Sequence, residues 1–324
     1  MKLFNYQKAE IVAKANEMKF VRDTFEKVLR LTDILDYLNN NPITKDSLAL
    51  KGGTAINLTI FDLPRLSVDI DLDYTGNISR NEMLLQREQV TTDIKTYMIT
   101  QNYTLSPKSK SRHSLDSFVF TYKNMGGMND NIKIEINYSM RCHIFEPVAR
   151  PIITDLITGS QKVFAVVPME IFAGKINALL SRAAARDLYD TYNMIKLGLF
   201  DDSEYDLLRK CIVFYTAISQ EEIPRKCRYE AINTIKYHKI KTELLPVIKK
   251  GEFVPLEVMK ESVISFIDNL MVLTENEKEF LNLFSRKVYQ PELLFDDEKI
   301  LTRIKNHPMV QWKMQDHNKE SIER

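Results

Sequence analysis

The sequence predicts an α/β fold of the α+β kind, in which a mixed sheet and its helices are followed by a mostly helical C-terminal domain. Alternating apolar and polar residues, the period of a strand, cluster between positions 43 and about 165. The stretches before and after them repeat apolar residues every three or four positions, as amphipathic helices do. We therefore expect two domains, 1–166 and 167–324, which also suits a chain of 324 residues.

The pattern of residues 1 to about 42 predicts N-terminal helices, of which the amphipathic stretch 20–38 ends at the turn-forming run Asn39-Asn40-Asn41-Pro42. A short apolar piece, 47–50, leads into Lys51-Gly52-Gly53-Thr54. We expect a further helix to open after it, with Thr54 at or near the cap. Residues 66–74 then alternate in the manner of a strand.

Capping residues predict the next helix, and turn residues predict a hairpin after it. Ser79-Arg80-Asn81-Glu82 is a capping box, which predicts a helix that runs to about Asn102. The alternating runs 117–122 and 132–138 predict a hairpin with a longer loop, because glycine and asparagine residues lie between them. Pro168 suits the first turn of a helix, and the pattern is helical from there to the end of the chain.

Composition excludes several classes of protein. Hydrophobic residues make up 44% and charged residues 27%, which is the balance of an ordinary globular protein. The net charge of +1 excludes a strongly basic, histone-like binder of nucleic acid. Three scattered cysteines predict neither a disulfide framework nor a zinc site. No apolar run approaches the length of a membrane span, so we expect a cytoplasmic enzyme without a membrane partner.

Three carboxylates mark the strand at 66–74. Asp69, Asp71 and Asp73 are spaced two apart, so in a strand their side chains point to one face. Carboxylates held close together repel one another unless a cation offsets their charge. Mg²⁺ prefers oxygen ligands, and two such ions suit phosphoryl chemistry. A solvated strand face that is merely acidic is an equally good reading of this motif by itself.

Two neighbouring features favour the chemical reading. Glycines at 52 and 53 let a backbone approach a phosphate closely, although a plain tight turn has the same composition. In the run 132–138, Lys133, Glu135 and Asn137 share one face of a strand. If that strand neighbours the aspartates, Glu135 can supply a third metal ligand; otherwise it belongs to an amphipathic edge strand.

A cationic row lies in the helical region. Lys175, Arg182, Arg186 and Asp190 are spaced seven, four and four apart, which places them on one face if the helix is continuous. Such a row can neutralise a triphosphate, and it can equally be a solvated surface. Alternatively, residues 183–187 break the helix, and Asp187 caps a second helix that ends at Gly198.

Together these motifs resemble the polymerase-β-like nucleotidyltransferases and, more narrowly, the AbiEii/AbiGii toxin family, which is related to the MenT toxins. The resemblance rests on five blocks that span residues 48 to 313. They are Leu50-Lys51-Gly52-Gly53-Thr54-Ala55, residues 64–72 with Asp-Ile-Asp, Lys133-Ile134-Glu135-Ile136-Asn137, residues 175–190 with Arg186-Asp187, and residues 307–313. Fourteen residues separate Thr54 from Asp69, which leaves open whether Gly53 or Thr54 takes the usual serine position.

The resemblance implies a polymerase-β-like core and a toxin that transfers a nucleotide, with a cognate antitoxin and a frequent link to abortive infection. It implies an NTP substrate and two Mg²⁺ ions held by Asp69, Asp71 and Glu135, which are also catalytic together with Lys175 and Asp187. The implied nucleotide-binding residues are Gly52, Gly53, Thr54, Ser67, Lys175, Arg182 and Arg186.

The acceptor is predicted from charge and from the resemblance. Residues 225–250 hold eight lysines and arginines against two glutamates, a local charge of +6. A structured RNA needs phosphate contacts of this kind, and a tRNA 3′ end is one acceptor known in the family. Two alternatives are a small-molecule nucleotidyltransferase of the antibiotic-modifying kind and a non-catalytic binding module. The complete carboxylate set argues against the second.

Overall fold

The computed structural model describes residue 4 and residues 6–153, 161–220 and 229–315. Contacts divide the chain into two compact units, of which the first takes residues 1–141, 146–171 and 236–256. The second takes 142–145, 172–235 and 257–324. Residues 236–256, which follow the predicted division at 166 and 167, therefore belong to the first unit.

Two helices open the described chain, where the helical pattern of residues 1 to about 42 predicts N-terminal helices. They are α1 (Lys8–Glu17) and α2 (Arg22–Asn40). Lys19 has a φ of 62°, a left-handed conformation that ends the first helix, and Phe20 is fully buried beside it. The end of α2 before Pro42 agrees with the prediction.

A mixed sheet of eight strands forms the centre of the first unit over the described residues. Its strands are β1 (Leu48–Leu50), β2 (Asp69–Tyr74), β3 (Thr104–Leu105), β4 (Lys110–Ser111), β5 (Leu115–Lys123), β6 (Asn129–Asn137), β7 (Val148–Pro151) and β8 (Lys162–Ala165). The strand order is β3-β5-β6-β2-β1-β8-β7, with β4 paired to β5. The β2–β6 and β1–β8 pairs are parallel, and the other pairs are antiparallel.

The predicted hairpin is confirmed as β5 and β6, which pair along their whole length. In β6 and in the middle of β2 the burial alternates, so that Ile70, Leu72, Ile134 and Ile136 are buried. The helix α4 (Arg80–Thr100) begins at the predicted capping box, where the Ser79 hydroxyl accepts from the backbone N–H of Glu82. The apolar side of the central strands therefore belongs to the core, which leaves their polar side chains on the other face of the sheet.

Helices follow the sheet in the described part of the chain, as predicted. They are α5 (Pro168–Arg182), α6 (Ala185–Lys196), α7 (Tyr205–Ser219), α8 (Glu230–Asn233), α9 (Tyr237–Lys239), α10 (Leu256–Leu270), α11 (Glu275–Ser285), α12 (Glu298–Ile304) and α13 (Pro308–Met314). One-turn π-helices extend Gly52–Ala55 and α9 over Ile56–Ile60 and Ile240–Leu244. None of the described helices combines the length and the apolar character that a membrane span needs.

A continuous helix through residues 175–190 is a wrong prediction. Ala183 has a φ of 50°, so α5 ends at Arg182 and α6 starts at Ala185. The alternative of a helix break is the one observed, with Asp187 in the first turn of α6. Its carboxylate forms ion pairs there in place of a cap.

Candidate active site

The parallel pairing of β2 with β6 places three predicted carboxylates together. Asp71 lies opposite Glu135, and Asp69 lies opposite Lys133. Directly paired residues of neighbouring strands share a face, with about 4.8 Å between the strands, and residues two apart along a strand are about 6.6 Å apart. Asp69, Asp71 and Glu135 are all partly exposed, whereas Ile70, Leu72, Ile134 and Ile136 on the same strands are buried. The three therefore form one cluster, called here the carboxylate face.

A lysine of the same strand partly offsets this charge. The Lys133 ammonium lies 2.7 Å from Glu135 Oε2. Burial by itself would lower the pKa of Lys133, but the hydrogen bond and charge of Glu135, with the charges of Asp69 and Asp71, raise it above its ordinary value. Lys133 therefore offsets part of the negative charge of the carboxylate face.

Asp73 is neutralised by a different cation. Its side chain is 4% exposed, and Oδ1 lies 2.5 Å from the Lys51 ammonium. The backbone N–H of Lys51 also donates to the carbonyl of Asp71 at 2.9 Å. Lys51, which sequence reasoning gave no role, thus fixes the start of the glycine turn to β2 by its side chain and its backbone.

Gly52 carries the turn past the carboxylate face. Its φ is 65°, and a Cβ at this position would lie 2.8 Å from Asp71 Oδ2. The short helix α3 (Gly52–Ala55) begins here with Lys51 as its N-cap, so the predicted cap at Thr54 is wrong. The buried Thr54 hydroxyl instead donates to the carbonyl of Asp69 at 2.5 Å, which ties the helix to β2.

Gly53 lies against the buried Arg65 and against Ser67, which is one of the predicted nucleotide-binding residues. A Cβ on Gly53 would lie 2.5 Å from Arg65 Nη2 and 3.0 Å from Ser67 Oγ. Asn57 connects the two segments, because its amide donates to the Gly53 carbonyl and its Oδ1 accepts from the Arg65 N–H. Arg65 is 2% exposed and donates to the Leu66 carbonyl. Sequence reasoning missed Arg65, since an arginine that follows a proline reads as a surface residue.

The residues of the carboxylate face suit a hard divalent cation in their chemistry. Their donors are carboxylate oxygens, which Mg²⁺ prefers. Among the residues that the structure describes, no three acidic, histidine or cysteine side chains converge closely enough to enclose one ion as they stand. Glu135 is paired with Lys133, so an ion shared by all three carboxylates has to take Glu135 from that lysine.

The predicted residues of the C-terminal region form a separate cluster inside the second unit. The Lys175 ammonium lies 3.0 Å from Asp187 Oδ1 and 3.1 Å from Asp190 Oδ2, and all three side chains are at most 9% exposed. Arg182 donates to Asp187 Oδ2 at 2.8 Å. Burial would raise the pKa of Asp187, but the charge of Lys175 and the hydrogen bond and charge of Arg182 lower it below its ordinary value.

The structure thus groups Gly52, Gly53, Thr54, Ser67, Asp69, Asp71 and Glu135 in the first unit, and Lys175, Arg182 and Asp187 in the second. Arg186 is half-buried in the first turn of α6. The role predicted for Lys175, Arg182 and Arg186 toward a triphosphate, and for Asp187 in catalysis, stays a prediction. The ion pairs of Lys175 and Arg182 with Asp187 connect α5 to α6 across the break.

Comparison with known proteins identifies a family and a similar fold. The sequence model of a family described as "Nucleotidyl transferase AbiEii toxin, Type IV TA system" matches residues 33–281. The fold is similar to that of MenT4, a nucleotidyltransferase toxin of Mycobacterium tuberculosis H37Rv. The two share 15% sequence identity and a TM-score of 0.63, over 94% of this chain and 99% of MenT4. No curated protein sequence matches significantly.

Replacement of Gly52 tests the close approach of the turn to Asp71. We expect Gly52→Ala to lower the free energy of unfolding by about 1–3 kcal/mol, the cost of a left-handed non-glycine residue, because the new Cβ also meets the carboxylate. Urea denaturation measures the change. Gly174→Ala is the control, since a Cβ there meets nothing within 4 Å. Equal stability of the two variants would contradict the assignment.

Replacement of Lys175 tests the buried ion pairs. We expect Lys175→Met to destabilise the second unit by about 3–5 kcal/mol, because it removes the buried ammonium that pairs with both Asp187 and Asp190. The matched control is Arg182→Met, whose side chain is 65% exposed and whose loss should cost less. The urea denaturation midpoints of the two variants measure this difference in stability. A Lys175 variant as stable as the Arg182 variant would show that the pairs contribute little.

Proposed function

We propose that this chain transfers NMP from an NTP to a hydroxyl of an RNA. The premise is that the chain belongs to the AbiEii family of nucleotidyltransferase toxins of type IV toxin–antitoxin systems. The proposed acceptor is the 3′ end of tRNA. Family membership also implies a nucleotide substrate and a cognate antitoxin. The proposed setting is abortive infection in the cytoplasm, with Mg²⁺ as the metal.

The observation that carries the proposal is the register of β2 and β6, which sets Asp71 beside Glu135 and Asp69 two residues away on the same face. Asp69 and Asp71 would hold two Mg²⁺ ions, and Glu135 would complete the ligands of the catalytic one. When bound, the metal ions lower the pKa of the acceptor hydroxyl and stabilise the charge that develops on the α-phosphate.

The reaction is an in-line displacement. The acceptor oxygen forms a bond to the α-phosphorus while the bond from that phosphorus to the α–β bridging oxygen breaks. Pyrophosphate leaves, and the acceptor proton passes to solvent water. The protein's share of catalysis is therefore to position the two oxygens and to compensate charge, since it forms no covalent bond with the substrate.

The glycine turn supports the placement of the triphosphate. Gly52 brings the backbone close to Asp71, where a side chain would fill the space beside the carboxylate. The hydroxyl of Thr54 donates to the Asp69 carbonyl, so this side chain holds the turn on β2. Lys133 supplies a cation at the carboxylate face that can pair with Glu135 or with a phosphate oxygen.

The basic segment supports an RNA acceptor. Lys236 and Lys241 are exposed, and Lys239 is half-buried. Their segment, 236–256, belongs to the same unit as the carboxylate face and is joined to it by a backbone bridge between Arg65 and Ile248. Arg65 precedes Asp69 by four residues, at most about 13 Å of extended chain. Pro224, Arg225, Lys226 and Arg228 lie outside the described residues.

Isosteric replacement of the carboxylates tests the metal assignment. We expect Asp69→Asn and Asp71→Asn to abolish transfer of label from an α-labelled NTP while the fold is kept, because each removes a ligand and a charge from a cluster that repels itself. Glu135→Gln should stop transfer but reduce NTP binding less, since Glu135 would hold only the catalytic ion.

The control for these variants is Asp62→Asn, because Asp62 is an exposed aspartate of the same unit. It should keep normal transfer. Near-normal transfer by either aspartate variant of the strand would contradict the assignment. An equal loss of NTP affinity in all three would contradict the division of roles between them.

Charge reversal in the basic segment tests the acceptor. We expect the triple variant Lys236→Glu, Lys239→Glu and Lys241→Glu to bind total tRNA more weakly and to label it more slowly, with NTP binding unchanged. Each lost phosphate contact should make the log–log dependence of RNA affinity on salt shallower by about 0.7–0.9. Filter binding at several salt concentrations measures both effects.

A matched triple reversal at the exposed residues Lys108, Lys110 and Lys123, in and beside the β4–β5 region, should have a smaller effect. Equal effects of the two triple variants would contradict a specific role for the basic segment. Efficient transfer to a small acceptor in the absence of RNA would favour the antibiotic-modifying alternative.

A further inference from the structure

An exposed aromatic ring stands on a lysine-rich turn of the first unit. Phe253 is 84% exposed, more than any other large apolar side chain among the described residues. Lys249 and Lys250 precede it on the same turn, and Lys19 lies beside them, because the backbone N–H of Lys250 donates to the Lys19 carbonyl at 2.6 Å. These four residues are called here the lysine–phenylalanine patch.

The turn that presents Phe253 is anchored at both ends. Ile248 and Val254 are 2% and 5% exposed, so a buried side chain stands on each side of the turn. Gly251 has a φ of 80°, and the N–H of Glu252 donates to the Lys249 carbonyl, which closes the turn. The anchors hold the ring of Phe253 in solvent, where its apolar surface gains nothing from the fold.

The charge around the ring favours an anionic partner. Among the residues that the structure describes, the ammonium groups of Lys19, Lys249 and Lys250 form no ion pair. The only acidic residue of the turn itself is Glu252. A cationic surface with one exposed aromatic ring is the combination by which proteins bind single-stranded nucleic acid, since the cations follow the phosphates and a base stacks on the ring.

The patch also lies near the carboxylate face. Ile248, at the start of the turn, forms a backbone bridge with Arg65, and the N–H of Leu66 donates to the Val247 carbonyl at 2.6 Å. Leu66 precedes Asp69 by three residues, at most about 10 Å of extended chain. A nucleic acid strand that ends at the carboxylate face can therefore reach the turn within a few nucleotides.

We propose that Phe253 stacks on an unpaired base of the acceptor RNA, while Lys19, Lys249 and Lys250 contact the flanking phosphates. This inference rests on the proposed RNA acceptor and adds to it a preference for a single-stranded segment. Stacking tolerates any base, so the patch fixes the strand in place and leaves the choice of sequence to other contacts.

Binding of a single-stranded oligoribonucleotide tests the proposal directly. We expect Phe253→Ala to weaken binding by about tenfold to a hundredfold, the usual effect of losing one stacked base, with NTP binding unchanged. Phe253→Trp should keep the affinity. Val272→Ala is the control for loss of an exposed apolar side chain, because Val272 is 70% exposed in the second unit.

A fluorescence titration gives a readout that is independent of transfer. The chain has one tryptophan, Trp312, so the double variant Phe253→Trp and Trp312→Phe carries its only indole in the patch. We expect the oligoribonucleotide to quench this indole. Absence of quenching, or unchanged RNA affinity in Phe253→Ala, would overturn the stacking role even if the wild type labels RNA.

The two proposals can fail separately. If no RNA is labelled by the wild type but the indole is quenched, the patch binds RNA and the proposed acceptor is wrong. If RNA is labelled and Phe253→Ala changes only association with the antitoxin, the patch is a protein interface and the stacking role is overturned.

Discussion

Mutual repulsion of three carboxylates on one face of a sheet is the constraint on which the site depends. The parallel register of β2 and β6 sets Asp71 beside Glu135, and Asp69 follows on the same face. Lys133 offsets part of this charge, while Lys51 neutralises Asp73 and keeps it apart from the cluster. We propose that a divalent cation offsets the repulsion between these carboxylates and that an NTP is the substrate bound there with it.

The side chains of β2 and β6 that share the site's face of the sheet could be predicted from the sequence because they recur with a period of two. Alternation in residues 66–74 and 132–138 fixes which side chains face the core and which face the site. The hairpin of β5 and β6 and the capping box at Ser79 are equally local signals, and the structure confirms both. No local signal predicts that β2 and β6 are neighbours in the sheet. Only the combination of the glycine turn, the Asp-x-Asp strand and the later acidic strand indicated it.

The errors have a common physical origin. Left-handed residues at Lys19 and Ala183 end helices where neither glycine nor proline marks a break. Lys175 and Arg182, which were predicted to lie in a cationic row on one continuous helix, therefore form ion pairs with the buried Asp187. Arg65 and Lys51 were missed for a related reason, since the burial of Arg65 and the ion pair of Lys51 with Asp73 arise only when the chain folds.

The central claim is that the carboxylate face performs metal-dependent nucleotide transfer to RNA. The most direct measurement incubates the protein with each α-labelled NTP and total RNA, with Mg²⁺ or with excess chelator, and resolves RNA and protein on one gel. The account predicts label on a tRNA-sized band with at least one NTP, in the presence of Mg²⁺ only. Label on the protein alone, or on RNA in the presence of chelator, would contradict it.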